Sequence, residues 1–401
     1  MRHDQITVAF PQPAFMINVF MSILPIFNLF YEMCGYLCPA GEGSFERRLR
    51  DVHVKGRVAV TNPQGRFEDW TRCAEDDGWW QEDERTPPAT QVIEEPAASA
   101  ITYNDSPDLP FDRSLNPYQG CEHGCIYCYA RPAHAYKGLS PGLDFETRIY
   151  ARVGIDARLR AELARPGYRP AALCLGANTD PWQPVERRLG LTRRVLECLA
   201  ECRHPVILVT KSALIERDLD LLSELARDGL VQAAVSLPSL DAELARRMEP
   251  RAASPRRRIE TLARLAAAGI PCGVLVAPVI PQLTDHHLER VLEAAASAGA
   301  RTAGYVLLRL PHEVKQLFQD WLATHYPLRA NHVMSLIRQM HNGRDYDAAF
   351  FTRQHGSGIY AGLIARRFEL ACRRLGLTTQ PPCLRCDRFR PPAPPGQLSL
   401  F

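Results

Sequence analysis

Beyond residue 100, short apolar segments alternate with longer segments in which apolar residues recur every three or four positions. Apolar runs of this length are typical of buried parallel strands, and the longer segments are typical of amphipathic helices. Strands are predicted at 101–104, 171–176, 206–210, 231–237, 273–279 and 303–310. Glycine or proline ends several of the predicted helices, which supports the boundaries between these units.

Six such strands predict an α/β fold, a parallel sheet that helices cover on its outer face. The number suits a partial (β/α)6 barrel, because the chain is too short here for eight strand–helix units. In barrels of parallel strands, chemistry takes place at the carboxyl ends of the strands. The loops that directly follow each strand are therefore the places to search for functional residues.

The flanking segments differ from this barrel, which we assign to 100–325. Residues 1–50 form an apolar leader that we expect to lie outside the folded unit, after a start codon placed too far upstream; a membrane anchor is the alternative. Residues 51–99 predict an irregular N-terminal arm whose Trp79 and Trp80 pack on the domain or form a lid or partner site. A C-terminal helical extension follows at 326–390, and residues 391–401 form a proline-rich spacer with a terminal peptide.

Composition limits the compartment more than it limits the partners. The chain has 401 residues, 13 cysteines and a net charge of +3. So small a net charge does not favour a particular partner. An odd number of cysteines, not arranged as a small disulfide scaffold, favours a reducing cytoplasm, and we expect no firm membrane association.

The chemistry concentrates in NPYQGCEHGCIYCYARP, residues 116–132, which holds Cys121, Cys125 and Cys128 in the spacing C-x3-C-x2-C. Thiolates are the ligands that iron–sulfur centres use, and a short loop can aim three of them together. Because four ligands are usual, three would leave one iron of a cubane without a protein ligand. A zinc knuckle, with His123 as the fourth ligand, or three buried thiols are the alternatives.

This spacing, with Tyr127 directly before Cys128, resembles the radical S-adenosylmethionine (SAM) superfamily. The resemblance implies a [4Fe–4S] cluster whose open iron chelates the amino and carboxylate groups of SAM. It implies an external electron donor as well. The reduced cluster would pass one electron to the sulfonium, and a 5′-deoxyadenosyl radical would abstract hydrogen from a substrate, so that the cofactors carry the chemistry. It also implies the partial barrel.

The same resemblance indicates residues that would bind SAM. Asn178, Thr179 and Asp180 stand where the superfamily carries a motif for the amino group, although they differ from the usual Gly-Gly-Glu and also fit a capped turn. Ser236 lies near the end of the fourth predicted strand, and Arg251 follows that strand, where an arginine would clamp the SAM carboxylate. Val279 lies in an apolar bend that packs against adenine in relatives, unless its prolines only mark a turn.

The order of motifs between residues 100 and 375 resembles the spore photoproduct lyase-like, "DNA repair photolyase"-type group most. This group implies a role in DNA repair or nucleic-acid modification. Spore photoproduct lyase returns hydrogen to its product radical from a cysteine. Cys174, Cys198, Cys202 and Cys272 lie in the predicted barrel, and none of them can be matched to that role. Cys174 and Cys272 fall in or at strands and are interpreted as small buried residues.

The C-terminal region contains two further candidate sites. Cys372, Cys383 and Cys386 predict either a second metal site or an unbound cysteine pair. Residues 390–396, RPPAPPG, form an extended, stiff spacer. The chain then ends in Gln397, Leu398, Ser399, Leu400 and Phe401, which resembles the peptide by which bacterial repair proteins bind the sliding clamp; a frayed tail is the alternative.

Three hypotheses follow for function. The first is a radical SAM enzyme that abstracts hydrogen in DNA repair or nucleic-acid modification. The second is radical modification of RNA, protein or a metabolite, with an incidental tail. The third is a non-catalytic iron–sulfur or zinc module that is recruited to the clamp.

Overall fold

The computed structural model describes residues 57–67, 89–380 and 382–392. The chain divides into two units, residues 1–50 and 51–401, and every described residue belongs to the second unit. The predicted leader, Trp79, Trp80 and the terminal peptide 397–401 lie outside the described residues, so the predictions about them stand as they were made.

The described strands form two sheets. The larger sheet has seven strands in the order β10-β9-β8-β7-β6-β3-β2, and all neighbours pair in parallel except β2 and β3. The strands are β1 (Gln91–Pro96), β2 (Thr102–Tyr103), β3 (Arg113–Leu115), β4 (Tyr118–Gln119), β5 (Arg148–Val153), β6 (Leu173–Leu175), β7 (Val206–Thr210), β8 (Val231–Ser236), β9 (Cys272–Val279) and β10 (Thr302–Leu307).

Helices follow the strands in the predicted alternation. The α-helices are α1 (Leu143–Thr147), α2 (Ile155–Leu163), α3 (Glu186–Leu189), α4 (Leu191–Glu201), α5 (Leu219–Arg227), α6 (Ala242–Met248), α7 (Pro255–Ala267), α8 (Leu288–Ser297), α9 (Val314–His325), α10 (Ala330–Met340), α11 (Thr352–His355) and α12 (Gly358–Leu375). Shorter 3-10 helices cover Arg131–Lys137, Ala213–Asp218 and Asp285–His287. The α/β fold with a parallel sheet and a helical C-terminal region is therefore confirmed.

The first parallel strand is not where the sequence predicted it. The strand predicted at 101–104 is the short, antiparallel β2, and its place beside β6 is taken by β3. β3 is buried although it contains Arg113. Its burial is possible because the guanidinium of Arg113 donates to the carbonyl oxygen of Arg169 at 2.7 Å and to the hydroxyl of Tyr168 at 3.2 Å. An apolar-run criterion cannot detect such a strand.

The smaller sheet has the order β1-β5-β4 and includes a strand from the predicted arm. β1 pairs in parallel with β5, and its residues alternate between exposed and partly buried positions. Residues 57–60 of the arm are buried as well. The described part of the arm is thus ordered structure in contact with the domain.

The end of the described chain runs along the amino ends of the strands. The backbone N–H of Arg385 donates to the carbonyl oxygen of Gly229, just before β8, and that of Arg390 donates to Cys202, just before β7. The ring of Phe389 lies 5.5 Å from that of His204, which also precedes β7. The tail therefore lies at the end of the sheet opposite to the strand carboxyl ends.

No helix among residues 57–67, 89–380 and 382–392 combines the length and the apolar character that a membrane span needs.

Candidate active site around the three-cysteine loop

The three-cysteine loop leaves β4 and folds as a series of turns, each of which begins at a cysteine. The N–H of Gly124 donates to the carbonyl oxygen of Cys121 at 3.2 Å, that of Cys128 to Cys125 at 3.2 Å, and that of Arg131 to Cys128 at 3.2 Å. Repeated turns place the three thiols on one side of the loop. Burial raises the pKa of Cys121, and the neighbouring Asp180, Cys125 and Cys128 raise it further, as expected for thiols that lie close together.

All three thiols open into one cavity of about 550 Å³ that extends from the carboxyl ends of the parallel strands along the strands themselves. This is the volume of a typical small-molecule site. Among the predicted SAM-binding residues, Tyr127, Asn178, Asp180 and Ser236 line the cavity. The structure thus brings these four together with Cys121, Cys125 and Cys128.

The other three predicted residues do not line this cavity. The hydroxyl of Thr179 donates to the carbonyl oxygen of Tyr118 at 2.7 Å. The guanidinium of Arg251 pairs with Glu122 at 2.9 Å and donates to the hydroxyl of Thr90 at 3.2 Å. Val279 is fully buried at the end of β9, although its neighbours Ala277 and Pro278 reach the cavity wall. A SAM-binding role for these three residues stays a prediction.

A buried arginine holds the loop from behind. The guanidinium of Arg131 donates to the backbone oxygens of Cys125 and Gly124 at 2.9 Å each, and to those of Pro141 at 3.0 Å and Gly142 at 2.9 Å. Its remaining partner is the carboxylate of Glu146, 2.6 Å away, and both side chains are fully buried. A planar fork with five donors suits this task, because it fixes several loop carbonyls with one rigid group.

Glu146 joins the loop to the N-terminal arm. Its carboxylate accepts the backbone N–H groups of Val58 and Ala59 at 3.1 Å each, besides the guanidinium of Arg131. Gly124 adopts a φ of 65° directly against it, and a Cβ there would lie 2.8 Å from Oε2 of Glu146. Only glycine fits both the backbone conformation and the space. Neither Arg131 nor Glu146 was identified from the sequence, although Arg131 closes the motif itself.

Gln183 supports the loop from the segment after β6. Its carbonyl oxygen accepts the N–H of Glu122 at 2.9 Å, and its amide donates to the carbonyl oxygen of Gly120 at 3.1 Å. Gln183 is fully buried. The segment that was predicted to bind SAM therefore also sets the position of the cysteines.

Asp180 is an ionised carboxylate within the cavity wall. It accepts from the hydroxyl of Thr210 at 2.8 Å and from the N–H of Lys211 at 2.7 Å, and Nδ1 of His123 lies 3.4 Å away. Burial alone would raise its pKa, but His123 and these hydrogen bonds hold the pKa at about 2. His123 is thus turned toward Asp180.

Glu249 is a buried carboxylate that the sequence analysis missed, although it lies two residues before Arg251. It accepts hydrogen bonds from the hydroxyl of Tyr127 and from the guanidinium of Arg258. Burial raises the pKa of Glu249 above its ordinary value, against the opposing effect of Arg258. This carboxylate fixes the ring of Tyr127 in the three-cysteine loop.

Two cations line the cavity. Nζ of Lys211, after β7, lies 5.8 Å from the ring centroid of Tyr127. The guanidinium of Arg309, after β10, lies 4.8 Å from that of Tyr129, whose hydroxyl donates to the carbonyl oxygen of Ala177. Arg309 was hidden from the sequence analysis because the predicted last strand extended to residue 310. The shorter β10 places it in a loop after a strand.

Cys174 is the one cavity-lining cysteine outside the motif among the described residues. It lies on β6, and burial raises its pKa to about 12, so that it remains a neutral thiol near neutral pH. The interpretation of Cys174 as a small buried residue holds for its burial, but its position gives it contact with the cavity. Cys198, Cys202 and Cys272 are buried elsewhere.

The donor set suits an iron–sulfur cluster in its chemistry, because all three candidate ligands are cysteines. Within the described part of the chain, no three Cys, His, Asp or Glu side chains converge closely enough to hold one metal ion. A single zinc ion needs all donors at bonding distance from one point, whereas a cubane presents a different iron to each cysteine. Cys372, Cys383 and Cys386 do not form such a group either. The zinc alternatives for both groups of cysteines stay predictions.

Comparison with known proteins agrees with this site. Residues 115–295 match the family model of the radical SAM superfamily. An uncharacterised protein of Mycobacterium tuberculosis is 40% identical over 233 residues, which cover 58% of this chain and 68% of the relative. The radical SAM Nalpha-GlyT isomerase of Pseudomonas phage M6 is 27% identical over 186 residues, which cover 46% of this chain and 36% of the isomerase.

Among solved structures, spore photoproduct lyase complexed with dinucleoside spore photoproduct matches with a TM-score of 0.52 and 15% identity, covering 72% of this chain and 81% of the lyase. The chain belongs to the radical SAM superfamily, and it shares the fold of spore photoproduct lyase. The cofactors of this superfamily are a [4Fe–4S] cluster and SAM.

We predict that Glu146→Gln destabilises the loop and lowers the iron content after anaerobic reconstitution. The substitution preserves shape but leaves the buried Arg131 without a countercharge, which costs about 3–5 kcal/mol. Thermal unfolding of the cluster-free chain and iron per chain are the two measurements. Glu243→Gln is the matched control, because its exposed pair with Arg247 on α6 is worth at most about 1 kcal/mol. Equal effects of the two substitutions would contradict the assignment.

Proposed function

We propose that this chain is a radical SAM enzyme that abstracts hydrogen from a nucleic-acid substrate, in DNA repair or nucleic-acid modification. One observation carries the proposal: the three motif thiols open together into a cavity at the carboxyl ends of six parallel strands. Cys121, Cys125 and Cys128 would hold the cluster. With SAM bound, the two cofactors supply the reductive cleavage of the sulfonium and the hydrogen abstraction.

The protein's part is to hold and orient. Of the three residues after β6, Asn178 is exposed and lines the cavity, whereas Thr179 and Asp180 are engaged with Tyr118 and Thr210. We therefore assign contact with the amino group of SAM to Asn178. The SAM carboxylate is assigned to Lys211, because Arg251 is occupied by Glu122 and Lys211 lies beside the three-cysteine loop.

The substrate side is assigned to the wall that carries Arg309 and Cys174. Cys174 is a neutral thiol within the same cavity, so it is suited to return a hydrogen atom to a substrate radical: the S–H bond would break, a C–H bond would form, and the unpaired electron would pass to the sulfur of Cys174. A thiol with a pKa this high does not lose its proton near neutral pH, so the S–H bond is present when a hydrogen atom is needed.

Two observations support nucleic acid as the substrate class. A solved structure with the same fold contains a dinucleoside ligand. In addition, the chain ends in a peptide that resembles those by which bacterial repair proteins bind the sliding clamp. A sliding clamp bound by Gln397, Leu398, Leu400 and Phe401 would bring the domain to DNA, which favours a nucleic-acid substrate.

The reconstituted chain should produce 5′-deoxyadenosine from SAM under a strong reductant in the absence of oxygen. Cys125→Ala should lose this activity together with the iron, because two cysteines cannot hold a cubane stably. Chromatographic detection of 5′-deoxyadenosine, with iron counted in the same samples, is the measurement. A chain that retains its iron but produces no 5′-deoxyadenosine would favour the non-catalytic iron–sulfur module.

Cys174→Ala should preserve SAM cleavage but uncouple it, raising the amount of SAM consumed per molecule of product severalfold. The control is Cys272→Ala, since Cys272 is buried on β9 outside the cavity wall. Product and 5′-deoxyadenosine are quantified together on a lesion-bearing oligonucleotide. An unchanged ratio in Cys174→Ala would remove Cys174 from the reaction.

Deletion of residues 397–401 should abolish co-purification with the clamp without changing SAM cleavage. Each buried apolar anchor contributes about 1.5–3 kcal/mol before ordering costs, so the loss should be large. A pull-down with the bacterial sliding clamp, compared with a variant in which only Ser399 is replaced by Ala, measures it. Clamp binding that survives the deletion would reject this partner.

A further inference from the structure

Two adjacent phenyl rings stand partly exposed beside a slot that adjoins the cavity, and the guanidinium of Arg353 lies 5.0 Å from the ring centroid of Phe350. Phe350 and Phe351 are 50% and 62% exposed, directly before α11. Two neighbouring exposed phenylalanines are unusual on a surface that has no partner. Their position therefore points to a ligand for this rim.

The backbone holds the ring of Phe351 outward in a disfavoured conformation. Its φ is 67° and its ψ is −36°, a combination that bulky L-residues rarely adopt. Such conformations persist where contacts with neighbouring residues hold them in place, and they cluster at binding and catalytic sites. Here the surroundings are identifiable, because one aspartate on the far edge of the sheet makes the restraining contacts.

That aspartate is Asp108, in the loop between β2 and β3. Its carboxylate accepts the N–H of Phe351 at 3.2 Å and Nε of Arg353 at 2.7 Å, and its backbone oxygen accepts the amide of Gln354 at 3.2 Å. The side chain of Asp108 is almost fully buried in this pair. The contacts join the β2 edge of the large sheet to α11, which packs on β10 at the other edge.

Phe351 lines a slot of about 350 Å³ beside the main cavity. The slot and the cavity share Leu109, Pro110, Gln354 and His355. A group that enters the slot is therefore continuous with the space that holds the three thiols. Four of its seven lining residues are apolar, namely Pro107, Leu109, Pro110 and Phe351, and these suit a flat ring.

A cation lies in the same space. The described residues give Arg309 no carboxylate partner; its Nε is buried without a hydrogen bond, and Nη2 reaches only the hydroxyl of Tyr346, at 3.4 Å. Asp108 is engaged by Arg353, so it does not neutralise Arg309. The rim thus combines exposed aromatic faces with an available guanidinium.

We propose that Phe350 and Phe351 stack an unpaired nucleobase at the mouth of the cavity and that Arg309 pairs with the phosphate beside it. The exposed phenyl rings suit a planar ring and the guanidinium of Arg309 suits an anion. A nucleotide unit in single-stranded nucleic acid provides both groups in one ligand. An aromatic peptide provides the ring without the anion. This inference rests on the proposed function and names the substrate-binding residues of the same cavity.

The test uses the full reconstituted chain without SAM and a single-stranded oligodeoxynucleotide that carries one 2-aminopurine. Stacking should quench its fluorescence, and anisotropy of a labelled copy gives the affinity. Phe351→Gly should weaken binding about fivefold or more and reduce the quenching. The same variant should raise the unfolding temperature, because glycine relieves the strained backbone. Phe351→Trp should preserve binding.

Two further variants complete the design. Arg309→Gln should weaken binding and lower the slope of log affinity against log salt by about one, as expected for one lost phosphate contact. Ile359→Ala is the control, since Ile359 is 96% exposed on α12 and equally apolar. It should bind like the unsubstituted chain.

The outcomes separate this inference from the proposed function. Oligonucleotide binding that Phe351→Gly and Arg309→Gln leave unchanged would overturn the inference and preserve a nucleic-acid substrate. No binding by the unsubstituted chain would overturn both the inference and the nucleic-acid role, while SAM cleavage would still stand on its own assay. Weakened binding with a raised unfolding temperature in Phe351→Gly supports the inference, because damage to the fold would lower the affinity and the unfolding temperature together.

Discussion

The buried ion pair between Arg131 and Glu146 is the interaction on which the site depends. Arg131 gathers four backbone oxygens around the three-cysteine loop, and Glu146 balances its charge while it accepts two N–H groups from the arm. A buried pair of this kind stabilises only if its remaining hydrogen-bonding capacity is met, as it is here. The backbone of the loop is therefore held in place while its thiols face the cavity.

This arrangement explains why the arm belongs to the site. The family model covers residues 115–295, whereas the groups that satisfy Glu146 come from residues 58 and 59. Thr90 makes a similar connection, because its hydroxyl donates to Glu122 within the motif at 2.7 Å. The arm thus completes the shell around the cysteines, and such outer contacts orient the ligands of a metal centre.

The sequence predicted the parts of the fold whose pattern is strong. Five apolar strands and the helices between them lie where periodicity placed them, and the cysteine spacing located the site. The sequence analysis missed β3 because this strand contains a charged residue, Arg113, whose burial depends on hydrogen bonds. It missed β1 because the residues of β1 are only partly buried. Among site residues, proximity to a strand end found Asn178 and Asp180.

The residues that the sequence could not indicate are those defined by tertiary contacts. Glu146 lies 15 residues after Arg131 and Glu249 lies 122 residues after Tyr127, and nothing local distinguishes either of them from a surface acid. Arg251 is a related case, since its guanidinium pairs with Glu122, a partner that the sequence did not indicate. Charge pattern alone does not reveal which ionic groups are already paired.

The central claim is that the three cysteines hold a cluster with one iron open to SAM. Electron paramagnetic resonance of the reduced, reconstituted chain tests it most directly, with spectra recorded before and after SAM is added. The account predicts a cluster signal that shifts when SAM binds. A cluster signal that SAM leaves unchanged, at concentrations where SAM binds, would contradict it.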